Sequence, residues 1–65
     1  MTDLVAQLVA IRKAKGLKQA TVARRMGVTP PAITHFERGY RTPMLSTALR
    51  YAEAIGARIS VEEAR

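Results

Sequence analysis

Apolar residues recur along this chain at helical intervals, and glycines cut the pattern into segments. In the first segment Leu4, Leu8, Ile11 and Lys15 fall on one stripe, with Val5 and Arg12 on its flank and Thr2 or Asp3 as the N-terminal cap. Gly16 ends that helix as a left-handed residue would, and Leu17 fills the corner. A second helix is predicted over about Lys18 to Met26, with Val22, Ala23 and Met26 inward, stopping at Gly27. A third follows Thr29. Ile33 and Phe36 share its inner side with Ala32 and Glu37 at the edges, while Pro31, Thr34, His35 and Arg38 lie opposite. After "GYRTP" a fourth helix is predicted around Met44 to Ile55, with Leu45, Ala48, Leu49, Ala52 and Ile55 as its stripe and Gly56 closing it.

The tail "ARISVEEAR", residues 57–65, reads two ways. Ile59 and Val61 alternate with Arg58 and Ser60 as in a short strand, and Ser60 with Glu63 also fits a capping box for one more helical turn. The strand is the favoured reading. The fold class is therefore all-α, four to five helices in one domain over residues 1–65, with a short C-terminal strand as the open question.

Two prolines at the start of the third helix need an explanation, because proline has no N–H and resists helix interiors. With Thr29 as cap, Pro30 takes the first helical position and Pro31 the second, where backbone donors lack internal acceptors anyway. The Thr29 hydroxyl is then expected to bond the Ala32 amide. Pro31 disfavours helical dihedrals at Pro30, a small strain.

Charge narrows the class of partner. Eleven Lys and Arg face five Asp and Glu, a formal net charge of +6. Arg12, Lys13, Lys15, Lys18, Arg24, Arg25, Arg38 and Arg41 crowd the middle, where Glu37 is the one acid. A concentrated basic zone favours a polyanion, with nucleic acid first. The chain has no cysteine and a single histidine, so neither disulfides nor a zinc site is expected. The same scarcity leaves no triad, carboxylate pair or metal set, and an enzyme is not expected. No cofactor is called for. No apolar run reaches the length of a membrane span, and the opening "MTDLVAQLVAI" lacks the basic leader of a signal peptide. A cytoplasmic, nucleoid-associated protein is expected.

Two short helices joined at a glycine, the second with a polar outer face, describe a helix-turn-helix over about residues 18–38. Ala23 is small enough for a steep helix crossing, Gly27 can take the turn, and Ile33 pegs the second helix onto the first. The stretch "LKQATVARRMGVTPPAITHFERG" resembles the helix-turn-helix domain of the phage-repressor and Cro family, through Leu17, Gln19, Ala23, Gly27, Val28, Ile33, Glu37 and Gly39. "TPMLSTALRYAEAIG" resembles the usual fourth helix, so the likeness runs from about Leu4 to Gly56.

That resemblance implies a lambda-repressor-like domain that binds operator DNA as a symmetric homodimer and regulates transcription, as a repressor in the leading reading. It places base-reading side chains at Thr29, Pro30, Pro31, Thr34 and His35. Many relatives carry glutamine or serine where the two prolines stand, so readout here falls to Thr34 and His35, with Arg38 as a further candidate, and to shape, with apolar proline contacts to thymine methyls. Histidine gains charge across the physiological range, so a His35 contact to guanine or phosphate predicts tighter binding at lower pH. Phosphate contacts are expected from Lys18, Gln19, Arg38, Tyr40, Arg41 and Thr42. Arg12 and Glu37 border the inner stripes of their helices, and the resemblance implies that they form a structural ion pair. The competing reading is an antitoxin-like or accessory interaction module, with DNA contact secondary and a protein partner or second copy pairing with the C-terminal strand.

Overall fold

In a computed structural model that describes residues 2–64, the chain forms four helices: α1 (Thr2–Ala14), α2 (Gln19–Met26), α3 (Pro30–Arg38) and α4 (Leu45–Ile55). α2 packs against α3 and α4, and α1 packs against the same two. Leu8, Val22, Ala23, Met26, Ile33, Tyr51, Ala52 and Ile55 make one core. The expected cap at Thr2 or Asp3 rests on side chains outside the described ones.

Helix ends follow one local rule. At Gly27 (φ 69°) the backbone turns left-handed, its N–H bonds the Arg24 carbonyl at 3.2 Å, and the Val28 N–H bonds the Ala23 carbonyl at 3.0 Å. A Cβ disfavours that φ, so glycine stands there. The next residue, Val28, then tucks against the core. The same pair of bonds closes α1 and α4, with Leu17 and Ala57 as the apolar residues that follow. The turn between α2 and α3 is thereby fixed at both its backbone and its side chain.

Three sequence expectations are corrected. The inner stripe of α1 runs through Val5, Leu8 and Arg12, leaving Ile11 37% exposed and Lys15 outside, because Arg12 finds a buried carboxylate partner. On α4, Leu45 (64%) and Leu49 (46%) are exposed, and Tyr51 completes a stripe with Ala48, Ala52 and Ile55. Residues 57–64 form neither strand nor helix. Ile59 packs against the core while Val61 is 93% exposed. Alternation alone does not make a strand without a neighbouring strand to pair with, and none exists among the described residues.

Candidate nucleic-acid interface

One carboxylate gathers a residue from every helix. Glu37 of α3 accepts from Arg12 Nε (2.7 Å) and Nη2 (3.0 Å) of α1, from Gln19 Nε2 (2.8 Å) of α2, and from the Tyr51 hydroxyl (2.6 Å) of α4. Four donors saturate the roughly four lone-pair directions of a carboxylate. Both charged side chains are buried, and the Arg12 Nη1 also donates to the Leu17 carbonyl at 2.7 Å. Burial alone would raise the Glu37 pKa, but the bonds from Tyr51, Arg12 and Gln19 outweigh it and hold the carboxyl below its ordinary range. Burial, reinforced by the Glu37 bond, pushes the Tyr51 phenol above its usual range. The Tyr51 ring stacks on Phe36 at 4.7 Å between centroids. Ile33, one turn before Glu37, is fully buried, so α3 is pinned by an apolar peg and a polar hub together.

What α3 then turns outward is the surface of Pro30, Pro31, Thr34, His35 and Arg38, which line one shallow depression of about 460 Å³. Thr29 caps the helix in extended conformation with Pro30 and Pro31 in its first turn. The expected hydroxyl cap is absent: the Ala32 N–H bonds the Thr29 carbonyl instead, at 3.0 Å. With two prolines lacking N–H and Ala32 engaged, the tip of α3 offers little but apolar surface. Thr34 is half-buried, and its hydroxyl lies 3.1 Å from Gln19 Oε1 and 3.4 Å from the Pro30 carbonyl.

The remaining site residues fall into four groups. His35 meets the Tyr40 ring edge-on at 5.9 Å, and Arg38 Nη1 reaches the Tyr40 hydroxyl at 3.5 Å with its guanidinium 6.0 Å from the ring centre. These three form one exposed cluster at the end of α3. Lys18 is the exposed N-cap residue of α2 and makes no side-chain cap bond, as expected of a side chain with no acceptor. Arg41 and Thr42 are exposed in the α3–α4 connection. Gln19 stands apart from the others, because its amide is turned inward to Glu37 and Thr34.

Part of the basic zone has internal work. Lys15 Nζ donates to the Ile55 carbonyl at 2.7 Å and the Gly56 carbonyl at 3.2 Å, so it closes the end of α4. Arg25 donates to the Ala54 carbonyl at 2.8 Å, and Arg50 to the Met26 carbonyl at the end of α2. Cations at helix C-termini satisfy carbonyls left without partners and complement the helix dipole. Sequence reasoning missed Tyr51, although it sits three residues after Ala48 and four before Ile55, on one helix face. A tyrosine on an apolar face calls for a buried acceptor.

The helix-turn-helix family matches residues 8–61. Antitoxin HigA1 of Mycobacterium tuberculosis, strain CDC 1551 / Oshkosh, is 48% identical over 56 residues, 86% of this chain. Antitoxin HigA1 of strain ATCC 25618 / H37Rv matches to the same extent. The chain spans 38% of the length of each of these relatives. No solved structure matches at a significant level.

Proposed function

This chain belongs to the phage-repressor and Cro-type helix-turn-helix family, a family of DNA-binding regulators, and from that premise we propose that it is a sequence-specific, non-catalytic transcriptional regulator. It inserts α3 into the major groove of double-stranded DNA, in the cytoplasm at the nucleoid, and acts as a repressor. The observation that carries this reading is the division of α3. Ile33 and Glu37 lock its inner side to the other three helices, while Pro30, Pro31, Thr34, His35 and Arg38 share one open face. Thr29, Pro30, Pro31, Thr34 and His35 face bases. Lys18, Gln19, Arg38, Tyr40, Arg41 and Thr42 flank them on the phosphates, Gln19 through its backbone amide because its side chain is engaged.

The active species is a homodimer on a two-fold site, with half-sites about 34 Å apart. The exposed Met44, Leu45 and Leu49 supply apolar surface for self-association, and the tail, with Val61 93% exposed, is a second candidate contact for another copy or a partner. A second reading, an antitoxin with a protein partner, is supported by the two HigA1 relatives.

Selection of bound duplexes from a random pool at 50 and 200 mM salt tests the proposal. A two-fold motif is expected, with affinity falling by about 10³–10⁵ if a dimer neutralises roughly six to ten phosphates. Recovery of no motif, or a flat salt response, refutes major-groove docking. Co-purification of a second protein, with no shift of the chain's own promoter by the isolated chain, favours the antitoxin reading.

A further inference from the structure

We propose that Thr34 is a specificity-determining residue that meets DNA as a hydrogen-bond acceptor only, and so selects a base carrying an exocyclic amino group. The inference rests on the docking of α3 argued above. It follows from a count of protons along the chain Glu37–Gln19–Thr34.

An ionised carboxylate only accepts. Glu37 therefore fixes which way the Gln19 amide points: the NH2 group faces Glu37 Oε1 at 2.8 Å, and the carbonyl oxygen is left facing Thr34 Oγ1 at 3.1 Å. A carbonyl oxygen has no proton to give, and a threonine hydroxyl has one. That proton goes to Gln19, and the other neighbouring group, the Pro30 carbonyl at 3.4 Å, is again an acceptor. Both intramolecular partners pull the proton inward, so the open side of Oγ1 presents lone pairs. Thr34 itself lines the depression shared with Pro30, Pro31, His35 and Arg38, where the two prolines add no donor, and on the proposed docking those lone pairs face it.

In the major groove the amino donors are adenine N6 and cytosine N4, whereas guanine O6 and thymine O4 are acceptors. A lone pair set against a keto oxygen leaves both unsatisfied, so the base facing Thr34 is adenine or cytosine. Gln19 is a positioning residue here: it acts by holding the hydroxyl's proton, without touching the base.

The test uses the selected duplex, every single-base variant of it, and duplexes in which the base assigned to Thr34 lacks its amino group. Binding is measured for wild type, Thr34→Val, Thr34→Ser and Gln19→Leu. In wild type one position per half-site is expected to favour adenine or cytosine over guanine or thymine by about 3- to 10-fold, the range of a single net hydrogen bond. Thr34→Val should level that position and no other, while Thr34→Ser should keep the preference. Gln19→Leu leaves only the longer Pro30 carbonyl contact to hold the proton, so the preference should shrink at that position while any phosphate effect is uniform across sequences. Removal of the amino group should lower wild-type affinity by a similar factor, which decides the matter if Thr34→Val fails to fold by circular dichroism. The inference is overturned if Thr34→Val leaves every preference intact, or if the position it levels favours guanine or thymine. Failure to select any duplex overturns the docking itself instead.

Discussion

Replacing Arg12 by alanine is expected to remove most of the stability of this domain, while Lys13→Ala on the same helix leaves it nearly unchanged. Arg12 is 8% exposed, and three hydrogen bonds would be lost at once: two to Glu37 and one to the Leu17 carbonyl. Glu37 would keep Gln19 and Tyr51 as donors but lose its counter-charge while buried. Removing one partner of such a pair costs about 3–5 kcal/mol. At about 0.05–0.15 kcal/mol per residue, a chain of this length holds only about 3–10 kcal/mol in all. With each kcal/mol worth about 4–8 °C, the melting temperature should fall by at least roughly 12 °C. Thermal and urea unfolding followed by circular dichroism measure this directly. The double variant Arg12→Met/Glu37→Gln removes both charges and keeps an acceptor for Tyr51, so it should recover part of the loss. Melting temperatures for Arg12→Ala and Lys13→Ala within about 3 °C of each other would refute the argument, since a surface substitution is worth only about ±0.5 kcal/mol.

Acid should weaken the same hub. Because the folded-state pKa of Glu37 lies below its ordinary 4.5, its contribution is present above that value and lost as pH falls through the folded pKa. The stability gap between wild type and Glu37→Gln should therefore close in acid; a gap constant from pH 7 to 2 would contradict this. Thr29→Ala should change stability by less than about 0.5 kcal/mol, against about 1 kcal/mol for a working cap, since no side-chain cap bond forms. Gly56→Ala should cost about 1–2 kcal/mol for its left-handed backbone. A Cβ at Gly56 would stand 2.7 Å from Lys15 Nζ, the end of a flexible side chain that can swing aside, so its excess over Gly27→Ala should be limited to the bonds Lys15 makes to the Ile55 and Gly56 carbonyls, about 1 kcal/mol. Prior removal of the lysine by Lys15→Met should erase that excess in a double-mutant cycle.

The helices were legible because glycine marks their ends and the apolar spacing between glycines is helical. The faces were less so. A hydrophobic scale puts Ile11 inside and Arg12 outside, but the deciding partner is Glu37, 25 residues away, which periodicity cannot register. On α4 the leucines drew the stripe toward Leu45 and Leu49. The true face is narrower in volume, two alanines flanking Tyr51 and Ile55, because Tyr51 brings a hydroxyl that only the interior hub can satisfy. The outer face of α3 followed from the position of Ile33 and needed no long-range information. The orientation of the Gln19 amide was out of reach, since it depends on which neighbour is a carboxylate.

That dependence explains why so small a domain keeps a charged cluster inside. An apolar peg such as Ile33 fixes how far α3 stands from its neighbours, yet dispersion contacts are non-directional and tolerate rotation about the helix axis. A rotation of one residue, about 100°, would carry Thr34 and His35 off the outer face. Glu37 lies one turn beyond Ile33 and must meet three donor residues from three helices at hydrogen-bond distances. Hydrogen bonds weaken steeply with misalignment, so the hub resists the rotation that the peg permits. Replacing the hub with apolar residues of equal volume can preserve stability while loosening the angle at which α3 is presented. On the proposed docking, the hub would contribute to orientation as well as to stability, and orientation is what the proposed base-reading role of α3 requires.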